Sequence, residues 1–114
     1  MKALYKLIGI VCVFFCLQTG MAQTVDATKN TQPIIVYGSN NCHYCTDTKD
    51  YLERHQIAYI FYDVDTDTEA LQTMLKKLKQ AGISLSNVAI PVIDKNGAIF
   101  MNTGEFEVFL EKLK

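Results

Sequence analysis

The sequence predicts an α/β domain: a four-stranded mixed sheet in the order β-α-β-α-β-β-α, with helices on both faces. Three observations carry this expectation. Two short β-prone apolar runs, Ile34 to Tyr37 and Ala58 to Tyr62, are each followed by a segment with apolar residues at helical spacing. A turn sequence, Asp94-Lys95-Asn96-Gly97, lies between two further short apolar runs. The final segment again places apolar side chains at helical intervals. The length of 114 residues allows one small domain, and an apolar fraction of 49% supports a packed core. A formal charge of −1 gives no reason to expect a nucleic-acid partner.

Residues 1–22 read as a secretory signal peptide. Lys2 and Lys6 form a basic start, Leu7 to Leu17 an apolar run, and Gly20-Met21-Ala22 a small-x-small cleavage site. The run is too short for a helix that spans a bilayer, which needs about 20 residues. Retention as an N-terminal anchor is the rival reading. Either way the domain is expected outside the cytoplasm, periplasmic or extracellular. Cleavage removes Cys12 and Cys16 as ordinary apolar residues of the leader. It also leaves 9 Lys+Arg against 12 Asp+Glu, a net of −3. Residues 23–32 form a polar, flexible leader, and the folded domain is expected over 33–114.

Within that domain Ile34-Ile35-Val36-Tyr37, bounded by Pro33 and Gly38, reads as a buried strand. A loop over Gly38 to Asn41 leads into a helix starting at about Cys42–His43. Its Tyr44, Thr48, Tyr51, Leu52 and His55 share one face, Asp47 lies in the first turn, and Asp50 and Arg54 are spaced as an ion pair. Ala58 to Tyr62, apolar on both faces, suggests a central strand. Thr66-Asp67-Thr68-Glu69 fits a capping box for a second helix with Leu71, Met74, Leu75 and Leu78 inward, and Gly82 suits the residue just past its end. Ile83 to Ile90 is a connection. Pro91-Val92-Ile93 and Ala98 to Met101 form a hairpin, and Gly104 precedes a last helix whose Phe106, Phe109, Leu110 and Leu113 make one apolar face. The first β-α-β unit is expected to be parallel and right-handed, with the hairpin added antiparallel.

The chemistry sits at Cys42-His43-Tyr44-Cys45. Unpaired N–H groups and the dipole at a helix N-terminus favour an anion there, which raises the fraction of thiolate available to attack. A second thiol one turn away can resolve a mixed disulfide. Cys42, nearer solvent, is the expected nucleophile and Cys45 the resolving thiol. A disulfide that closes so small a loop is a poor staple, so the pair points to reactivity rather than stability. With no second C-x-x-C and no His pair, a closed tetrahedral zinc site lacks ligands.

At this point the chain resembles the glutaredoxin branch of the thioredoxin superfamily, over about residues 33–113. The strand followed by Cys42-His43-Tyr44-Cys45, the order of elements, and Ile90-Pro91 at the start of the third strand carry the resemblance. The family motif is C-P-Y-C, so Tyr44 and both cysteines match and His43 departs from it. The resemblance implies a thioredoxin-like fold and thiol–disulfide oxidoreductase activity. It implies a cis peptide before Pro91, main-chain contacts from Ile90 to substrate, Tyr44 in the substrate groove, and Gly104 as the remnant of a Gly-Gly pair in the glutathione site. Glutathione is then a candidate co-substrate, and no bound cofactor is implied. No basic residue precedes Cys42 in Gly38 to Asn41, and Ser84 to Asn87 lengthen the approach to Pro91.

For His43, an imidazolium beside Cys42 would favour the thiolate and make the disulfide more oxidising; the plain alternative is an exposed residue of the first turn. Tyr44 either lines the groove or covers the core. Pro91 either serves the site or simply starts a strand. Oxidase, isomerase and reductase directions share this motif. The expected partners are protein or small-molecule thiols and disulfides, with a separate electron donor or acceptor, and the chain is expected to be a monomer. A second function class is a module in which Cys42 and Cys45 hold a soft metal such as Cu(I), or an iron–sulfur cluster between two chains.

Overall fold

A computed structural model describes residues 32–114. The signal-peptide reading of 1–22 and nearly all of the leader expected over 23–32 lie outside the described residues. The elements are β1 (Ile34–Gly38), α1 (His43–Arg54), β2 (Tyr59–Asp63), α2 (Thr68–Gln80), a 3₁₀ turn (Leu85–Asn87), β3 (Val92–Lys95), β4 (Ala98–Met101) and α3 (Phe106–Glu111). They form one sheet of four strands in the order β2-β1-β3-β4. β1 pairs parallel with β2 and antiparallel with β3, and β3 pairs antiparallel with β4. The predicted mixed α/β architecture is the observed one.

Alternation along β1 sends its side chains to two separate layers. Ile34 and Val36 join Tyr51, Leu52, Ile93, Phe109 and Leu113 in a core under α1 and α3. Tyr37 joins Val64, Ala70, Met74, Leu78 and Val92 in a core under α2. The sheet is therefore covered on both faces, and β1 and β3 form its buried centre. The hairpin turn is Asn96-Gly97, with φ of 52° and 89°, the left-handed pair that a two-residue hairpin loop requires.

Several local expectations need correction. The Ala58 to Tyr62 run is not central: β2 is an edge strand, with Ile60 and Tyr62 exposed. Tyr59 and Phe61 pack into the core under α1, while Tyr62 stacks on Tyr37 at 5.7 Å. Apolar residues on both faces of β2 thus reflect contacts to either side of the sheet, not a central place in it. The second helix is capped by Asp67, not Thr66: the Asp67 carboxylate accepts the Ala70 N–H at 2.9 Å. Asp47 lies beyond the first turn of α1. Arg54 donates to the Asp50 main-chain carbonyl at 3.4 Å rather than to its carboxylate. Tyr44 and His55 are exposed, so the buried stripe of α1 is Cys45, Thr48, Tyr51 and Leu52.

Both long helices end in the same way. At the end of α2, Gly82 (φ 73°) donates to the Lys79 carbonyl and Ile83 to the Leu78 carbonyl. At the end of α1, Gln56 takes the glycine-like place with φ 55°, donating to the Glu53 carbonyl, while Ile57 donates to the Leu52 carbonyl. A side chain in that conformation is strained, and glycine is not. Gln56→Gly is expected to raise stability by about 0.5–1 kcal/mol, the relief outweighing the added flexibility of the unfolded chain. Urea unfolding of the two proteins side by side checks it.

Candidate active site

The site begins where β1 stops. The chain leaves the sheet at Gly38, turns through Ser39 to Asn41 and enters α1 at Cys42. Cys42 is extended (φ −100°, ψ 117°), and its sulfur accepts the Cys45 N–H at 3.3 Å. The sulfur thus occupies the N-cap position, facing the free N–H groups of the helix start. Cys45, one turn in, is fully buried, whereas Cys42 is partly exposed; both are free thiols. Burial, and then the hydrogen bond with Cys42, push the Cys45 thiol up to about 12, while the Ser39 main chain and Lys49 pull it down. The pair is chemically unequal: one sulfur meets solvent and the helix terminus, the other is held neutral in the core.

The remaining expected residues are placed as follows. The Ile90–Pro91 peptide is cis, and the Cys42 sulfur lies 3.8 Å from the Ile90 carbonyl oxygen. Pro91 is buried and Ile90 partly exposed, so the loop before β3 meets the start of α1 at Cys42. Tyr44 is half exposed and packs on Phe106 at 4.8 Å, tying the start of α1 to the start of α3. The side chain of His43 is 80% exposed, with its Nε2 3.0 Å from Asp47 Oδ2 and its ring against Tyr44. Gly104 stands apart, its N–H donating to Asn102 Oδ1 at 3.0 Å beside a small groove that includes Thr103, Glu105 and Val108. Ser84 to Asn87 form a 3₁₀ turn capped by the Ser84 hydroxyl.

Three contributors escape a reading of the motif alone. A Cβ at Gly38 would fall 2.7 Å from the Cys45 sulfur and 3.0 Å from a Phe61 ring carbon, so the thiol fits only over a glycine. The neighbouring Ser39 is buried, and its hydroxyl donates to the Asp65 carboxylate. Lys49 lies over the Phe61 ring at 4.1 Å and donates to Asn40. Gly38 carries a signal in hindsight, a glycine ending a strand just before a C-x-x-C pair. The contact of Ser39 with Asp65, 26 residues away, carries none. Among the described residues, no three His, Cys, Asp or Glu side chains converge, so the two sulfurs are the only soft donors gathered at this point.

Comparison with known proteins agrees with this geometry. Residues 34–99 match the profile of the glutaredoxin family. A glutaredoxin-like 8.6 kDa protein from a rubredoxin operon of Clostridium pasteurianum is 29% identical over 79 residues, spanning 69% of this chain and 99% of the relative. A crystal structure of a thioredoxin-like protein superposes with a TM-score of 0.54 at 22% identity, covering 71% of this chain and 99% of that one. Buckwheat glutaredoxin in complex with glutathione superposes with a TM-score of 0.53 at 19% identity, covering 73% of this chain and 69% of that one. At these identities the two structures show a shared fold.

Two outcomes test the site. Brief alkylation of the folded, reduced protein near pH 8 should label Cys42 and leave Cys45 unmodified until the chain is denatured, as peptide mass mapping will report. Gly38→Ala should cost about 1–3 kcal/mol by overpacking, and Cys45→Ala in the same background should recover part of that loss. Equal destabilisation by Gly38→Ala with and without the sulfur would place the clash elsewhere.

Proposed function

The chain belongs to the glutaredoxin family, and on that premise we propose that it is an exported thiol–disulfide oxidoreductase working through Cys42 and Cys45. The observation that carries this reading is the unequal pair at the start of α1: Cys42 partly exposed at the helix N-terminus, Cys45 buried one turn in. The Cys42 thiolate attacks a substrate disulfide, giving a mixed disulfide and releasing one substrate thiolate, which takes a proton. Cys45 then attacks the Cys42 sulfur, the second substrate thiol leaves, and the protein carries the Cys42–Cys45 disulfide. Run backwards, the same steps donate a disulfide. The substrate backbone is read by Ile90, whose carbonyl lies beside the nucleophile, with Pro91 shaping the loop and Tyr44 forming one wall. His43 modulates the nucleophile through its charge, and Asp47 holds the imidazole in place.

The partners are protein or small-molecule thiols and disulfides, with a separate electron donor or acceptor, and the chain acts as a monomer without nucleic acid. Glutathione is the co-substrate to test first, since buckwheat glutaredoxin binds it. Export rests on the signal-peptide reading of residues 1–22. Among the described residues no helix is long and apolar enough to cross a membrane. The mass of the protein recovered from the producing cell's envelope reads the cleavage directly.

Cys42→Ser is expected to abolish exchange with a disulfide substrate. Cys45→Ser should instead accumulate the mixed disulfide on Cys42, visible by mass after an acid quench. Full activity in Cys42→Ser rejects the mechanism. Stoichiometric copper or iron in anaerobically purified protein, together with no exchange, would favour a metal-binding module instead.

A further inference from the structure

We propose that Ser39 and Asp65 are a positioning pair for the step in which Cys45 displaces the substrate sulfur from Cys42. The inference rests on the disulfide-exchange reading above. Ser39 is buried at 4% exposure, three residues before Cys42 in the loop that leads into α1. Its carbonyl accepts the Cys42 N–H at 3.2 Å. Its hydroxyl accepts the Asn41 N–H at 3.1 Å and donates to the Asp65 carboxylate. Asp65 itself is exposed, in the loop after β2, and its N–H donates to Asp63 Oδ1 at 2.9 Å. The same two loops are joined by Val64 N–H to the Gly38 carbonyl at 2.8 Å and by Asn40 to Asp63 at 2.8 Å.

The chemistry of the second step makes this placement matter. In the mixed disulfide the Cys45 thiol gives up its proton, and its sulfur forms a bond to Cys42 Sγ. The bond from Cys42 Sγ to the substrate sulfur breaks, and that sulfur leaves with the electron pair and takes up a proton. The three sulfurs must line up, and a small misplacement is costly in rate. Cys45 is fixed by the helix and the core, so the adjustable partner is the loop that carries Cys42. Asp65 gives the Ser39 hydroxyl one orientation, and Ser39 transmits it to Asn41 and Cys42. The first step, attack by a partly exposed Cys42 on a free disulfide, makes no such demand on Cys45.

The test uses a small aromatic disulfide whose released thiolate is coloured, mixed with the reduced protein in a stopped-flow instrument. Attack by Cys42 releases the first coloured thiolate and resolution by Cys45 the second. For Asp65→Ala the second phase should slow about tenfold while the first stays within about twofold. Asp65→Asn, which keeps an acceptor for the Ser39 hydroxyl, should restore most of the second phase. Because Asp65 acts through Ser39, Ser39→Ala and the double variant should be equally slow. A melting temperature within about 5 °C of wild type separates positioning from loss of fold. If wild type shows two phases and Asp65→Ala matches it, or slows both equally, the pair has no positioning role. If wild type releases no coloured thiolate at all, the exchange reading itself falls, and this inference with it.

Discussion

The arrangement depends on a hydrogen bond from the Cys45 N–H to the Cys42 sulfur. Helix starts are usually capped by an oxygen of Ser, Thr, Asp or Asn. Here a sulfur takes that place, so the atom that closes the first turn of α1 is also the atom expected to react. An anionic sulfur is the stronger acceptor, and the helix terminus favours negative charge. Cap and candidate nucleophile are therefore one atom. The rest of the fold supplies the boundary conditions: β1 delivers the chain to the right point, and burial of Cys45, Thr48, Tyr51 and Leu52 fixes the helix behind it.

The two thiols differ because the sheet treats them differently. Gly38 leaves room at the end of β1 for a sulfur that a methyl group would displace. Packed there, Cys45 is desolvated and its thiol held neutral. Cys42 projects to where the loop ending in Ile90-Pro91 meets the helix start. One pair of residues thus combines an accessible position with a protected one, as sequential attack and resolution require.

Much of this was legible in the sequence, and what was not has physical reasons. The order of elements follows from apolar periodicity and from the Asn96-Gly97 turn, both local signals. The start of α1 at Cys42 and the role of Gly82 past α2 were also local. The cap of α2 was misplaced by one residue because Thr66 and Asp67 are both good caps, and only geometry chooses between them. β2 reads as central because its apolar residues serve both faces, Tyr59 and Phe61 against the core under α1 and Tyr62 against Tyr37, although none of them is fully buried. The lacing of Ser39, Asn40, Asp63 and Asp65 was invisible, since its partners are more than twenty residues apart and polar residues in loops have no periodicity.

The carboxylates of that lacing have another consequence. β2 lies at the sheet edge with Ile60 and Tyr62 exposed, a combination that invites pairing with a foreign strand. Asp63 closes the strand, with Asp65 and Asp67 close behind it in the chain. A foreign strand that extended past this end of the edge would have to desolvate those carboxylates. Asp63 and Asp65, which lace the loop before α1, thus also set charge beside the exposed edge, the feature by which sheet edges discourage strand addition.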